Sequence, residues 1–454
     1  MTKQIRFNAF EMNCVAHQSP GLWRHPRDRS WQYKDIEYWT DLAQILEKGI
    51  FDGIFIADVL GTYDVFHQNN THALQGAVQV PVNDPLQLAP AMAAVTKHLG
   101  FGITTSISFE HPYPFARRIS TLDHLTKGRA GWNIVTSYLS SGAKNLGQTD
   151  QLLHDDRYEV ADEYLQVLYK LWQGSWADDA VVRDRQSGIF THPEKVHPIE
   201  HDGKYFQVPG IHVCEPSPQR TPVLYQAGAS TRGKQFAAKH AECIFISVPS
   251  KALLKRFVDD IRQRLISEGR DPNSVYIYTL VTIVTGATDL EAQRKFQEYR
   301  QYASHDGALT LVSGWSGVDF AQFGKDDRIQ YIKTNAIQSL LESYSSADPT
   351  RSWTVDEVAE WTSIGGNGPV FVGSAQTIAD ILQEWTEETG VDGFNLAYAV
   401  AHETFSDVVE YVVPELQKRG IYPKEYVEGT LRHKLFGQGD YVPASHNAAS
   451  YHRK

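Results

Sequence analysis

Three stretches of the chain place chemically capable side chains close together. NAFEMNCVAHQSPGLWRHP, residues 8 to 26, begins like a buried strand and then sets Cys14, His17, Trp23, Arg24 and His25 in quick succession. A thiol and an imidazole three residues apart suit a nucleophile with its base, part of a metal site, or a non-covalent pocket wall. No HxH, HExxH or CxxC accompanies them, and no third orienting group is visible. QAGASTRGK, residues 226 to 234, satisfies G-x-x-x-x-G-K from Gly228 to Lys234, but Gln235 stands where a P-loop needs the Ser or Thr that holds Mg²⁺. Backbone N–H groups at a helix start still attract an anion, so the turn reads as a phosphate site without a metal, or as a tight turn needed for packing. HDDRYEVADEY, residues 154 to 164, puts His154 and Tyr158 on one helix face, where both can donate to an anion; the competing reading is a helix start capped by Asp155 or Asp156.

These residues need a scaffold, and the chain supplies a repeating one. IRFNAFEM, FDGIFIAD, FGITTSISF, GRAGWNIVTS, PVLYQAG, CIFISV, VYIYTLVTIVTG and VDGFNLAYA are strand-length apolar runs, each followed by a helix-period segment. Continuous apolar strands belong to a parallel sheet buried on both faces. Eight βα units predict an α/β fold of the (β/α)8 TIM-barrel type, in which chemistry sits at the C-terminal strand ends. Those ends carry Cys14 and His17, Asp58 with Tyr63 beyond, Thr104 and Ser106, and Asn133, Ser137 and Tyr138. Two insertions interrupt the repeat, about 174–220 and 304–368, and an extension, 421–454, follows it in one domain spanning 1–454.

Composition limits the function classes. The net charge of −11 argues against gripping nucleic acid, and three scattered cysteines give no disulfide framework. With no signal-like N-terminus and no long apolar run, a soluble cytoplasmic protein without a membrane span is expected.

FIADVLGTYDV, VPVNDP, RRISTLDHLTKGRAGWNIVTS, LWQGSWADDAVVRD, HDGKYFQVPG and EPSPQRTPVLYQAGAS, with the stretches above, resemble the bacterial-luciferase-like flavin monooxygenases. Within them the chain is similar to the branch of nitrilotriacetate, dibenzothiophene-sulfone, dimethyl sulfide and long-chain alkane monooxygenases, most of all the last two. The resemblance implies a TIM barrel with insertions and reduced FMN (FMNH2), delivered by a separate NAD(P)H-dependent flavin reductase. The flavin would react with O2 to a C4a-peroxide that oxygenates a small, largely apolar substrate, an alkyl sulfide or an alkane. It implies that Asp58, Thr104, Ser106, His154, Tyr158 and Ser230 hold FMN, with the phosphate at Gly228, Ala229 and Ser230 and the ring near Asn133 and Ser137. Cys14, His17, Tyr63, Gln79 and Tyr138 would line the substrate side, His17 or Tyr63 donating to the peroxide, and residues 304–368 would exclude water as a lid. Tyr138 and Leu311 depart from the alkane enzymes, which have His at both positions; Tyr138, SGWSGVDF and IGGNGPVFVG lean toward the dimethyl sulfide type. A homodimer or homotetramer is implied. The alternatives are another substrate in the same family, an aromatic sulfone or aminopolycarboxylate, or a flavin-binding barrel without activity. On residues alone, a metal-dependent barrel hydrolase and a P-loop NTPase rank below these.

Overall fold

A computed structural model describes residues 3–330, 332, 334–345 and 352–454, the side chains of 338 and 339 apart. Residues 331, 333 and 346–351 of the second expected insertion therefore lie outside the described residues. Eight parallel strands close on themselves: β1 (Arg6–Met12), β2 (Gly53–Ala57), β3 (Gly100–Ser106), β4 (Ala130–Val135), β5 (Val223–Gln226), β6 (Cys243–Ile246), β7 (Tyr276–Gly286) and β8 (Gly393–Ala397). Each pairs with the next, and β8 returns to β1 in the register Arg6 to Gly393. These are the eight apolar runs of the sequence.

Alternation along β1 shows why the runs are apolar throughout. Phe7 and Ala9 pack outward in one cluster with Trp39, Leu42 and Leu46 of the helix Ile36–Lys48. Asn8 and Phe10 belong to the other face: Asn8 Nδ2 donates to Asn395 Oδ1 at 2.8 Å, and Phe10 stacks on Phe55. Burying both faces of every strand in this way is what a closed parallel sheet requires. On the helix His154–Tyr169, which continues into a π turn at Lys170–Gly174, the apolar stripe Ala161, Leu165, Leu168 and Trp172 is buried.

Aromatic rings fill the barrel. Phe55 stacks on Phe245 with centroids 4.6 Å apart, and Phe245 meets Tyr225 and Tyr278, each at 5.4 Å. A Cβ on Gly102 of β3 would stand 2.3 Å from the Tyr225 ring, so only glycine lets that ring lie across the interior. Below the rings Arg6 binds Asp52 at 2.9 Å and donates to Leu435 O at 3.0 Å, while Tyr278 donates to the other Asp52 oxygen at 2.9 Å. The N-terminal end is thus plugged, and the C-terminal end is left for a cavity.

The segments outside the repeat have distinct structures. Residues 174–220 carry a hairpin of Val181–Asp184 with Ile189–Thr191 and a short antiparallel pair, His201–Asp202 with Gln207–Val208. Residues 304–368 contain the helices His305–Ser316 and Val355–Thr362, and the latter starts on a capping box of Thr354 and Glu357. A strand that the apolar-run count missed, Val370–Ser374, extends the long β7 outside the barrel. It escaped notice because β7 serves two partners in succession, a division that its sequence does not mark.

The C-terminal extension is bound through a buried charge. Arg432, in the helix Leu431–Phe436, contacts Glu242 at 2.6 and 2.8 Å and donates to the carbonyls of Thr221 and Pro222. Burial alone would raise the Glu242 carboxyl, but the guanidinium beside it holds it below the usual range. Removing one partner leaves the other charged and buried, at a cost of about 3–5 kcal/mol. Arg432→Met is therefore expected to lower the urea midpoint substantially, and Arg432→Met with Glu242→Leu to recover most of the loss; equal midpoints for Arg432→Met and the native chain would contradict this.

Candidate active site

The C-terminal strand ends open into a cavity of about 790 Å³, a size suited to a cofactor with a small substrate. Phe10 and Phe245, two of the rings that fill the barrel, form its floor.

One side is built by the ends of β3, β4 and β5. Asn133 Nδ2 donates to Thr104 Oγ1 at 3.0 Å, which leaves Asn133 Oδ1 buried without a partner among the described residues. Gln226 Oε1 at the end of β5 is likewise buried, with no partner among the described residues. Unpaired buried acceptors are costly, so their presence in a cavity wall calls for a ligand that supplies N–H or O–H groups. Ser137 holds a left-handed backbone, φ 59°, and its hydroxyl lies 2.7 Å from that of Ser106. Such strain in a non-glycine residue collects where a side chain must be aimed.

A second side suits an anion. Ser230 caps the helix Thr231–His240 by accepting from Gly233 N at 3.0 Å. A Cβ on Gly233 would lie 2.9 Å from Tyr158 Oη, so the glycine leaves room for that phenol beside the helix N-terminus. Arg157 is buried, donates to Leu152 O and Asn335 O, and keeps its Nε unpartnered; among the described residues no carboxylate lies within ion-pair distance of it. The His154 ring packs edge-on against Tyr158 and is bonded to Asp155 at 2.7 Å. Lys234, the P-loop-like lysine, is paired with Asp260 at 2.5 Å.

The third side is a hydrogen-bonded set. Gln79 Nε2 donates to His17 O at 2.8 Å, Tyr63 Oη donates to Gln79 Oε1 at 2.7 Å, and Trp315 Nε1 donates to Tyr63 Oη at 3.0 Å. Tyr138 Oη is 2.6 Å from Tyr63 Oη. Trp315, Ile337 and Leu340 of the second insertion complete this wall.

Most residues expected from the sequence border the cavity: His17, Asp58, Gln79, Thr104, Asn133, Ser137, Tyr138, His154, Tyr158, Gly228, Ala229 and Ser230. Three stand one layer behind it. Tyr63 is fully buried behind Tyr138, Cys14 is buried in a bridge to Val82, and the half-buried Ser106 is bonded to Ser137 of the lining. Burial, reinforced by Glu11 and Asp58, pushes the Cys14 thiol well above its ordinary range, which works against a thiolate nucleophile. Burial lowers the His17 imidazole to about 3, so it is neutral. Arg24 and His25 face elsewhere, toward Tyr302 O and Glu298. Leu311 is buried in the helix His305–Ser316, outside the cavity lining.

Residues 10–393 match the family described as luciferase-like monooxygenase. The chain is 53% identical over 99% of its length, and 94% of the other protein, to dimethyl-sulfide monooxygenase from Hyphomicrobium sulfonivorans. It is 51% identical over 99% of its length, and 98% of the other, to long-chain alkane monooxygenase from Geobacillus thermodenitrificans. The chain belongs to the luciferase-like monooxygenase family. The crystal structure of the Hyphomicrobium protein superposes with a TM-score of 0.92, covering 99% of this chain and 96% of that one. A riboflavin lyase crystallised with modified FMN and riboflavin superposes at 0.94 with 34% identity, covering all of both chains. This luciferase-like chain is thus an enzyme, a flavin-dependent monooxygenase with the TIM-barrel fold that its βα count predicts.

In this monooxygenase, Arg157, Gln226 and Trp315 are cavity residues that the sequence reading passed over. Arg157 had a visible signal, one residue before Tyr158 and one turn from His154. Gln226 ends the fifth strand beside the Gly turn, but an amide in an apolar run looks like a strand terminus. Trp315 comes from a segment whose approach to the site is set only by packing.

Asp58 also stands out. Burial, with Asp84 adding repulsion, pushes its carboxyl up to about 7. A carboxyl that prefers to be neutral when folded stabilises the fold less as pH rises from the ordinary carboxylate range near 4 toward 7. Without flavin, Asp58→Asn should therefore be more stable than the native chain at pH 8, with the difference shrinking to near nothing at pH 4. A difference independent of pH in thermal melts would show that Asp58 ionises normally.

Proposed function

We propose that this chain uses reduced FMN, supplied by a separate NAD(P)H-dependent flavin reductase, and O2 to oxygenate a small, largely apolar molecule of the dimethyl sulfide type, an alkyl sulfide, or an alkane. The observation that carries the flavin reading is the pairing of two orphaned buried acceptors, Asn133 Oδ1 and Gln226 Oε1, with an anion cradle at Ser230, Tyr158 and Arg157 in one cavity. Flavin presents ring N–H groups at one end and a phosphate at the other, and the two donor–acceptor sets have matching polarity.

Asn133, Gln226, Thr104, Ser106 and Ser137 would hold the ring, with Asp58 beside it. Ser230, Gly228, Ala229, Tyr158, His154 and Arg157 would hold the phosphate, through the helix N-terminus and charge-assisted bonds. When bound, reduced FMN supplies the electrons that split O2, one oxygen atom going to the substrate and the other to water. The chain's own work is to bind, orient and keep the site dry. Trp315, Ile337 and Leu340 cover the cavity with apolar surface, which excludes water and favours an apolar substrate. Cys14, His17, Tyr63, Gln79 and Tyr138 shape that side, Tyr63 and Cys14 from behind. The kinship with enzymes named for dimethyl sulfide and long alkanes supports the substrate class. We take the protein as one cytoplasmic barrel domain that forms a homodimer or homotetramer.

Anaerobic titration with reduced FMN, followed by O2 uptake with dimethyl sulfide or an alkane in the presence of a reductase, tests this reading. Micromolar binding and substrate-dependent uptake are expected; absence of binding ends it. Tyr158→Phe should cut affinity for FMN about 10-fold while changing that for riboflavin little, since bonds to charged groups are worth about 1.5–3 kcal/mol. Equal losses for both would remove Tyr158 from the phosphate site.

A further inference from the structure

The hydrogen bonds behind the substrate wall have a fixed direction, and that direction determines what the wall offers. The His17 carbonyl can only accept, so the Gln79 amide must turn its NH2 toward it and its Oε1 toward Tyr63. Tyr63 has one proton, and Gln79 Oε1 takes it at 2.7 Å. Trp315 Nε1 can only donate, and it donates to the Tyr63 oxygen at 3.0 Å. The 2.6 Å contact between Tyr63 and Tyr138 therefore takes its proton from Tyr138. Tyr138 borders the cavity and Tyr63 does not. Gln79 is buried and held with a left-handed backbone, φ 51°, strain consistent with an amide that must keep one orientation.

We infer that the bond order from the His17 carbonyl through Gln79 and Tyr63 commits the Tyr138 proton inward, so that Tyr138 meets the substrate as a hydrogen-bond acceptor only and sets specificity against molecules whose oxygen can accept but not donate. Tyr63 and Gln79 are positioning residues in this scheme; Tyr138 is the group that touches the ligand. A sulfide demands no donor and is tolerated. A sulfoxide or sulfone finds no phenolic proton and leaves its oxygen unpaired, whereas a ligand hydroxyl can donate to Tyr138. The wall thus accepts an apolar sulfide or alkane and disfavours a ligand whose oxygen can only accept. This selectivity rests on the proposed reading of the cavity as a site for small apolar substrates.

Dimethyl sulfide, dimethyl sulfoxide and propan-2-ol are close in shape and differ in hydrogen bonding, so they form a suitable probe set. Their dissociation constants, measured by ligand-observed NMR on the full chain with and without oxidised FMN, require no turnover. Tyr63→Phe removes the acceptor for the Tyr138 proton and frees it to face the cavity. It should raise affinity for dimethyl sulfoxide relative to dimethyl sulfide by about 3- to 10-fold, the worth of one neutral hydrogen bond. Adding Tyr138→Phe should abolish that gain. Alone, Tyr138→Phe should weaken propan-2-ol by a similar factor and leave dimethyl sulfoxide unchanged, a result that stands even if Tyr63→Phe does not fold. A sulfoxide-to-sulfide ratio within about two-fold of the native value in Tyr63→Phe, or weaker sulfoxide binding in Tyr138→Phe, overturns the inference. Loss of FMN binding would instead sink the cofactor reading, and the probe ratios measured without flavin keep the two failures apart.

Discussion

The stack of rings across the barrel, Phe10 on Phe55 and Phe55 on Phe245, is the constraint around which the site is arranged. Eight parallel strands enclose a space that side chains must fill, and here large planar groups fill it from the plugged end up to the level of the strand ends. Everything above the rings is consequently available for ligand. Large flat rings also make a floor on which another planar, apolar group can rest, so the packing solution for the barrel prepares the surface that an isoalloxazine needs. Arg6, Asp52 and Tyr278 close the opposite end with polar bonds to one another and, from Arg6, to Leu435 O and Tyr276 Oη.

Above that floor the cavity divides by polarity. One wall holds buried acceptors with no partner, another a helix N-terminus with Tyr158 and Arg157, and a third an apolar surface backed by a directed chain of hydrogen bonds. Each exacts a cost in the free protein: acceptors unpaired and an arginine without a carboxylate among the described residues, and strained backbone at Gln79 and Ser137. Costs of this kind concentrate where ligand binding can repay them, and all of these border the same cavity. The buried pair of Arg432 and Glu242, far from that region in role, shows the contrasting case of a charge fully answered within the protein.

Tyr138 and Tyr63 illustrate how residue type and residue role separate. Both are tyrosines near strand ends that the family resemblance sets on the substrate side, and it gives Tyr63 the role of a donor there. The direction of bonding makes one of them a support and the other an acceptor, because a phenol has one proton and its use is decided by neighbours from the segment after β1, from the loop carrying Gln79 and from the inserted helix carrying Trp315.

Local pattern determined a great deal. The eight apolar runs specify strands buried on both faces, and parallel strands with helical crossovers have few ways to close; the Gly turn before Thr231 and the His154–Tyr158 spacing each mark a helix start where an anion can bind. Those features depend on residues near one another in the chain. What only the tertiary structure decided involves residues far apart: that Cys14, Ser106 and Tyr63 stand one layer behind the cavity, that Arg157 and Gln226 border it, that Val370–Ser374 extends β7, and that Trp315 reaches across from residue 315 to close a network begun at residue 17. Depth behind a wall and the direction of a hydrogen bond are relations among several chain segments, and no single segment carries them.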